Sequence, residues 1–133
     1  MYNFKGLTEK ANKALNYAID YAENLGHNYI GSEHMILGIL EEGTNAAAIA
    51  LKNLGVTKEE FLKLVEVHIG KGEETSLTVE NLTPRSKRIL QVSAMRAAQM
   101  QHNYVGTEHL LLSIMGEEDS YAAHFLSMFG VKM

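Results

Sequence analysis

The sequence predicts an all-α domain made of a pseudo-twofold duplicated four-helix repeat whose second copy lacks its last helix. The chain aligns with itself, without gaps, at an offset of about 75 residues, and roughly 18 of the 50 positions aligned from Leu7 to Val56 are identical. Apolar residues recur at helical spacing between capping and stop signals. The single proline and the abundance of Ala, Leu, Met and Glu also favour helices.

The repeat divides the chain into two copies and a connector. Repeat one covers residues 7–70, the connector covers 71–81, and repeat two covers 82–133, all within a single domain. The connector is polar and contains glycine, although Leu77 to Val79 are expected to be extended. Because short helices are marginally stable alone, we expect the two copies to pack their apolar faces together.

The first helix of each copy begins at a threonine. Thr8 is a candidate N-cap, and apolar residues at helical spacing follow it until Gly26, where the helix is expected to stop. Thr83 is the corresponding cap in repeat two, and Pro84 takes the first helical position, where the missing N–H costs nothing. These signals predict a long amphipathic helix in each copy.

Five further helices complete the predicted pattern. Ser32 and Thr107 are the candidate caps of the second helices, and the third helices are predicted near residues 44–54 and 119–129. The Thr57-to-Glu60 spacing is that of a capping box and opens a fourth helix that ends at Gly70. Repeat two has no counterpart of this fourth helix.

Composition and missing motifs exclude several classes of protein. Without cysteine there are no disulfides, thiolate zinc sites or cysteine nucleophiles. No phosphate-binding Gly-x-x-x-x-Gly-Lys-Ser/Thr loop, Gly-x-Ser-x-Gly or His-Glu-x-x-His motif occurs, so we predict neither an ATPase nor another enzyme, and no cofactor. A net charge of −4 argues against a nucleic-acid surface, and the apolar runs are too short for a bilayer. We therefore predict a soluble cytoplasmic protein.

A duplicated octapeptide, His-Asn-Tyr-(Ile/Val)-Gly-(Ser/Thr)-Glu-His, is the sharpest local signal in the chain. Its histidines His27, His34, His102 and His109 allow one alternative, a small helical metal protein or enzyme. The favoured interpretation is a scaffold in which the glycine permits a tight turn, the hydroxyl caps a helix and the last histidine is hydrogen-bonded.

Glu33 and Glu108 are the octapeptide residues that favour binding. Each follows a predicted cap, at a helix position where the helix dipole favours the ionised carboxylate. A carboxylate only accepts hydrogen bonds and is complementary to a guanidinium group. The sequence therefore predicts two equivalent, outward-facing acids, one in each repeat.

The starts of the first helices are candidate binding sites for an anion, whereas the glutamates are candidate sites for a cation. Thr8 and Thr83 stand where free backbone N–H groups bind anions, and Lys10 and Arg85 follow closely. If each start lies beside the glutamate of its own repeat, the site accepts a group carrying both charges. The alternative is ordinary capping with solvated basic side chains.

Four segments together resemble the double Clp N-terminal domain, most of all the ClpC type. They are Leu-Thr-Glu-Lys-Ala, Gly-His-Asn-Tyr-Ile-Gly-Ser-Glu-His, Leu-Thr-Pro-Arg-Ser-Lys and Asn-Tyr-Val-Gly-Thr-Glu-His. The resemblance covers nearly the whole chain. It implies an all-helical domain at the amino end of an AAA+ unfoldase that works with the ClpP peptidase, receives substrate and adaptor proteins, and docks phosphorylated arginine.

The resemblance also implies site residues. The guanidinium of phosphoarginine is expected at Glu33 and Glu108, and its phosphate near Thr8 and Thr83; we extend the phosphate site to the adjacent basic residues, Lys10 and Arg85. Because the chain stops at Met133, before a second fourth helix, a piece of a larger protein is expected, with apolar surface that a second copy could cover. The alternatives are a free-standing accessory protein and an interaction module without ligand pockets.

Overall fold

The computed structural model describes residues 1–132, and there the chain forms seven α-helices and no strand. The prediction of an all-helical fold is confirmed. A short 3-10 helix at Val79–Asn81 replaces part of the extended chain expected from Leu77 to Val79, so that prediction is wrong at Val79. The helices are α1 Glu9–Asn24, α2 Ser32–Glu42, α3 Ala46–Asn53, α4 Lys58–His68, α5 Pro84–Gln99, α6 Thr107–Gly116 and α7 Tyr121–Met128.

The predicted threonine caps form. The hydroxyls of Thr8, Thr57 and Thr83 each accept a backbone N–H from the first turn of α1, α4 and α5, respectively. Helices α1 to α3 correspond to α5 to α7, and through residue 132 no helix of repeat two matches α4. Within the same residues, no helix has the length and apolarity needed to cross a lipid bilayer.

The predicted capping by Ser32 and Thr107 is wrong. Both residues are already helical, and the N-caps of α2 and α6 are Gly31 and Gly106. The N–H groups of His34 and Met35, which a capping hydroxyl at Ser32 would accept, donate instead to the Gly31 carbonyl at 3.1 and 3.2 Å, so the Ser32 hydroxyl is free for another contact. The same arrangement occurs in repeat two.

Each freed hydroxyl contacts the other repeat. The N–H of Ala122, at the start of α7, donates to Oγ of Ser32 at 3.3 Å. The N–H of Ala47, at the start of α3, donates to Oγ1 of Thr107 at 3.2 Å. The second helix of each repeat therefore satisfies an N-terminal donor of the third helix of the other.

The two repeats share one core. Phe61 of α4 is fully buried and packs against α7, edge-to-face with Phe125 at a centroid distance of 5.8 Å and stacked with Phe129 at 6.4 Å. Thus α4, in repeat one, covers an apolar face of repeat two. Buried apolar residues of both copies belong to one hydrophobic cluster.

Backbone contacts between the repeats also fix the positions at which α1 and α5 start. Parallel backbone bridges join Leu7 to Val105 and Ile30 to Leu82. The N–H of Thr8 donates to the Val105 carbonyl at 2.8 Å, and that of Thr83 donates to the Ile30 carbonyl at 3.2 Å. Each first helix therefore starts beside the octapeptide loop of the other repeat. The expectation that it lies beside the glutamate of its own repeat is wrong.

Candidate ligand-binding site

An open cavity of about 380 Å³ lies where the start of α5 meets the octapeptide loop of repeat one. It brings together three of the site residues expected from sequence, namely Glu33, Thr83 and Arg85. The exchange of helix starts between repeats is the reason that residues distant in sequence meet here. The lining consists of Tyr29, Gly31, Ser32, Glu33, Thr83, Pro84, Arg85, Arg88 and Tyr121.

Glu33 lines this cavity as a buried residue, only 2% exposed, so the expectation of an outward-facing acid is wrong. Its Oε2 accepts a hydrogen bond from the Tyr29 hydroxyl at 2.8 Å. Among residues 1–132 no basic side chain forms an ion pair with it. Burial raises the pKa of Glu33, against the lowering effect of hydrogen bonds from its own backbone and from Tyr29.

Gly31 is required by space rather than by an unusual backbone conformation. Its φ of −107° lies in the ordinary extended region, so the left-handed turn that glycine often supplies is absent here. A Cβ at this position would lie 2.5 Å from Oε1 of Glu33 and 3.0 Å from the Tyr29 ring. The glycine thus gives the carboxylate room to fold back over the start of α2.

Two arginines of α5 supply positive charge to the cavity, and Glu117 holds both. Arg88 donates to Glu117 from Nε, at 3.2 Å, and from Nη2. The Nε of Arg85 lies 3.3 Å from the same carboxylate, but this ion pair is not a hydrogen bond, so the buried N–H has no hydrogen-bond acceptor among the described residues. One donor of Arg85 therefore remains unsatisfied.

Sequence reasoning missed Arg88, Tyr121 and Glu117. Arg88 follows Arg85 by three positions on one helix, and this spacing was a signal that both side chains share a face. Tyr121 and Glu117 come from another part of the chain, and no local pattern points to them. The loop that carries the site is fixed to α5 by the buried Ser86, whose hydroxyl donates to the Ile30 carbonyl at 2.8 Å.

The histidines of repeat one form a hydrogen-bonded chain. Because the Gly31 N–H must donate to Nδ1 of His34, the proton of that ring is on Nε2, which donates to Nδ1 of His27 at 2.7 Å. The His27 Nε2–H is left for the Gly70 carbonyl at 2.9 Å. Through residue 132, no three His, Asp or Glu side chains are grouped so that they could hold a metal ion.

Lowering the pH is expected to destabilise the domain through His34. Burial, and then the charge of His27, lowers the pKa of His34 to about 3. The native state therefore binds fewer protons than the unfolded state between about pH 3 and 6.5. The stabilisation is complete above this window and is lost as the pH falls, by up to about 1.4 kcal/mol per pH unit.

Urea unfolding between pH 7.5 and 4.5 measures this slope. The matched variant is His34→Gln, since a glutamine at the third helical position can still accept the N–H of the N-cap but does not titrate. Its free energy of unfolding should vary less with pH than that of the native chain. Parallel pH profiles for the two proteins would contradict the prediction.

The related residues of repeat two are arranged more openly. Glu108 is exposed, and its carboxylate lies over Gly106, where the Cβ of any other residue would overlap it. The Leu7–Val105 bridge brings Thr8 to the octapeptide loop that precedes Glu108. Lys10 donates from Nζ to the Thr44 carbonyl at 3.1 Å, an exposed contact at the entry to α3.

Comparisons with known proteins agree with this fold. Residues 6–129 match the family described as the Clp repeat (R) N-terminal domain. The negative regulator of genetic competence ClpC/MecB of Bacillus subtilis (strain 168) is 44% identical over 130 residues, which are 98% of this chain and 16% of that protein. The chain thus spans about one-sixth of the length of this relative.

Solved structures show the same architecture at low sequence identity. The N-terminal domain of the chaperone ClpD from Arabidopsis thaliana superposes with a TM-score of 0.79 at 20% identity, over 98% of this chain and 89% of that one. The Hsp104 N-terminal domain from Candida albicans gives a TM-score of 0.72 at 15% identity, over 96% and 84%. With seven helices in residues 1–132, its duplicated octapeptide and the match over residues 6–129, the chain belongs to the Clp N-terminal repeat domain family.

Proposed function

We propose that this domain receives substrate and adaptor proteins for a Clp ATPase of the ClpC type, and that it binds phosphoarginine in the Glu33 cavity. The observation that carries the proposal is the composition of that cavity: a buried carboxylate and two guanidinium groups line the same opening. A ligand that is cationic at one end and anionic at the other satisfies both.

Glu33 suits the guanidinium end of the ligand. An ionised carboxylate has about four acceptor positions, and here Tyr29 and the backbone N–H of Glu33 use only part of them. A buried charge without an ionic partner lowers the stability of the free domain. A cationic group that enters the cavity supplies that partner and so offsets this loss. The planar guanidinium also matches the two carboxylate oxygens geometrically.

Arg85 and Arg88 suit the phosphate end. Arginine binds phosphate through parallel N–H donors, and the Arg85 Nε has no hydrogen-bond acceptor among residues 1–132. The start of α5 at Thr83 adds the positive end of a helix dipole, which attracts the phosphate in addition to the arginines. Unmodified arginine has no phosphate to contact the two arginines, and phosphoserine has no guanidinium to contact Glu33.

The remaining parts of the proposal concern a longer protein. ATPase modules would follow this domain and would pass substrates to the ClpP peptidase in the cytoplasm. The support is the 44% identity to the ClpC/MecB protein together with the small share of that protein that this chain spans.

Titration of the domain with phosphoarginine, arginine and phosphoserine tests the proposal. We expect phosphoarginine to bind at least tenfold more tightly than either other ligand, and a Glu33→Ala/Glu108→Ala variant to lose this preference. The control is Glu59→Ala/Glu74→Ala, which removes the same charge from two exposed positions. Equal affinity of the native and Glu33→Ala/Glu108→Ala proteins for phosphoarginine would show that the site is wrong.

A further inference from the structure

The duplicated sites share their glutamate but differ in how it is held. Glu33 is 2% exposed and hydrogen-bonded to Tyr29, whereas Glu108 is exposed. The aligned tyrosine of repeat two, Tyr104, is 61% exposed. A carboxylate shielded from water interacts more strongly with a cationic ligand than an exposed one, because the local dielectric is lower.

The helix starts differ in charge. The first helical residue of α5 is Pro84, whereas that of α1 is Glu9, which is exposed and lies 3.9 Å from Lys13. A ligand phosphate that approaches α1 therefore meets a carboxylate at the first helical position, where α5 has the uncharged Pro84. Like charges repel, so this position of α1 is less favourable for a phosphate than its counterpart in α5.

The basic side chains differ in type. Arg85 and Arg88 of the Glu33 cavity align with Lys10 and Lys13 at α1. Glu117 holds Arg85 and Arg88 in place, whereas its counterpart Glu42 hydrogen-bonds to Thr44 and Asn45. The guanidinium of Arg85, whose Nε has no acceptor among residues 1–132, can bind phosphate through two parallel hydrogen bonds, which an ammonium group does not do.

The aromatic residue at the start of α7 has no aromatic counterpart at the start of α3. Tyr121, the first residue of α7, lines the Glu33 cavity and stacks on Phe125 at 5.8 Å. The aligned residue at the start of α3 is Ala46. A tyrosine face attracts a guanidinium through its ring electrons, and alanine has no such surface.

We propose that the two sites are unequal: the Glu33 cavity binds phosphoarginine at least tenfold more tightly than the Glu108 surface, and Tyr121 together with the Arg85–Arg88 pair sets the difference. This inference rests on the proposed phosphoarginine function. It replaces the expectation of two equivalent sites with one principal site and one weak site.

Amide resonances recorded during a titration of the full chain with a phosphoarginine peptide separate the two sites, since Gly31 and Gly106 each lie next to one glutamate. We expect the Gly31 signal to reach saturation at a peptide concentration at least tenfold lower than the Gly106 signal. Glu33→Gln should remove the tighter event, whereas Glu108→Gln should affect only the weaker one. Coincident curves, or a tighter event at Gly106, would overturn the inference while the proposed function stands.

Exchange of the differing residues tests the cause. Tyr121→Ala should weaken the event at Gly31 by at least threefold, and Lys10→Arg/Lys13→Arg/Ala46→Tyr should tighten the event at Gly106 by a similar factor. Unchanged affinities in both variants would overturn the assignment of these determinants. If phosphoarginine at millimolar concentration shifts neither signal, the proposed function itself fails, and the inference with it.

Discussion

Replacing Gly38 by alanine is expected to lower the free energy of unfolding by at least about 3 kcal/mol, the largest loss we expect from a single methyl group in this domain. A Cβ on Gly38 would overlap the Ala14 carbonyl oxygen and would lie 2.8 Å from the Ala18 backbone nitrogen. Both atoms belong to the backbone of α1, so no side chain can rotate away. Helices α1 and α2 would have to move apart, and the alanines buried at their contact would lose their packing.

The aligned position in repeat two provides the control. Ser113 of α6 is buried, and its hydroxyl has no hydrogen-bond partner among the described residues. Ser113→Ala removes an unsatisfied polar group, so its free energy of unfolding should stay within about 1 kcal/mol of the native value or exceed it. Urea unfolding followed by circular dichroism measures both variants. Equal stability of the Gly38→Ala and Ser113→Ala proteins would contradict the packing derived for α1 and α2.

Glu33→Gln is expected to weaken phosphoarginine binding by at least about 30-fold without lowering stability at pH 7. The loss of affinity follows because a buried charge pair with the guanidinium can no longer form, an effect of about 2 kcal/mol or more. Stability does not fall, because the substitution removes a buried carboxylate that lacks an ionic partner and keeps an oxygen for the Tyr29 hydroxyl.

The pH dependence of this variant identifies the cause. Burial raises the pKa of Glu33 in the folded state above its usual value of 4.5. The native protein therefore loses stability as the pH rises from 4.5 to the pKa of the folded state. The free energy of unfolding of Glu33→Gln relative to the native protein should therefore increase from pH 4.5 upwards and remain constant above the folded pKa. The control is Glu59→Gln, which makes the same substitution at an exposed helix position. A native protein more stable than Glu33→Gln at pH 7 would contradict the account.

Much of the fold follows from local sequence. Thr8, Thr57 and Thr83 cap helices as predicted, because a hydroxyl followed by an apolar helical stripe acts through its nearest backbone neighbours. Ser32 carries the same local signal and fails, because Gly31 is the N-cap and its carbonyl accepts the N–H groups of His34 and Met35. The Ser32 hydroxyl accepts instead from Ala122 of the other repeat, a partner that the local sequence does not show.

The candidate site was predictable only in part. Glu33 and Thr83 stand out because the repeat duplicates their surroundings, whereas the choice of which helix start faces which glutamate depends on how the copies interlock. Tyr121 and Glu117 reach the site from repeat two through long-range packing that no helical period encodes. The repeat also led to an expectation of equal sites, although substitutions such as Tyr121 for Ala46 are visible in the sequence.

The reciprocal contacts of Ser32 with Ala122 and of Thr107 with Ala47 have a consequence for folding. Each half of the molecule supplies the acceptor for one N-terminal N–H of the other half's third helix. Unfolding of one half therefore removes three contacts from the other: the hydrogen bond at the start of its third helix, the backbone bridges, and the aromatic contact between α4 and α7. We therefore expect the two interlocked halves to unfold together in a single cooperative transition.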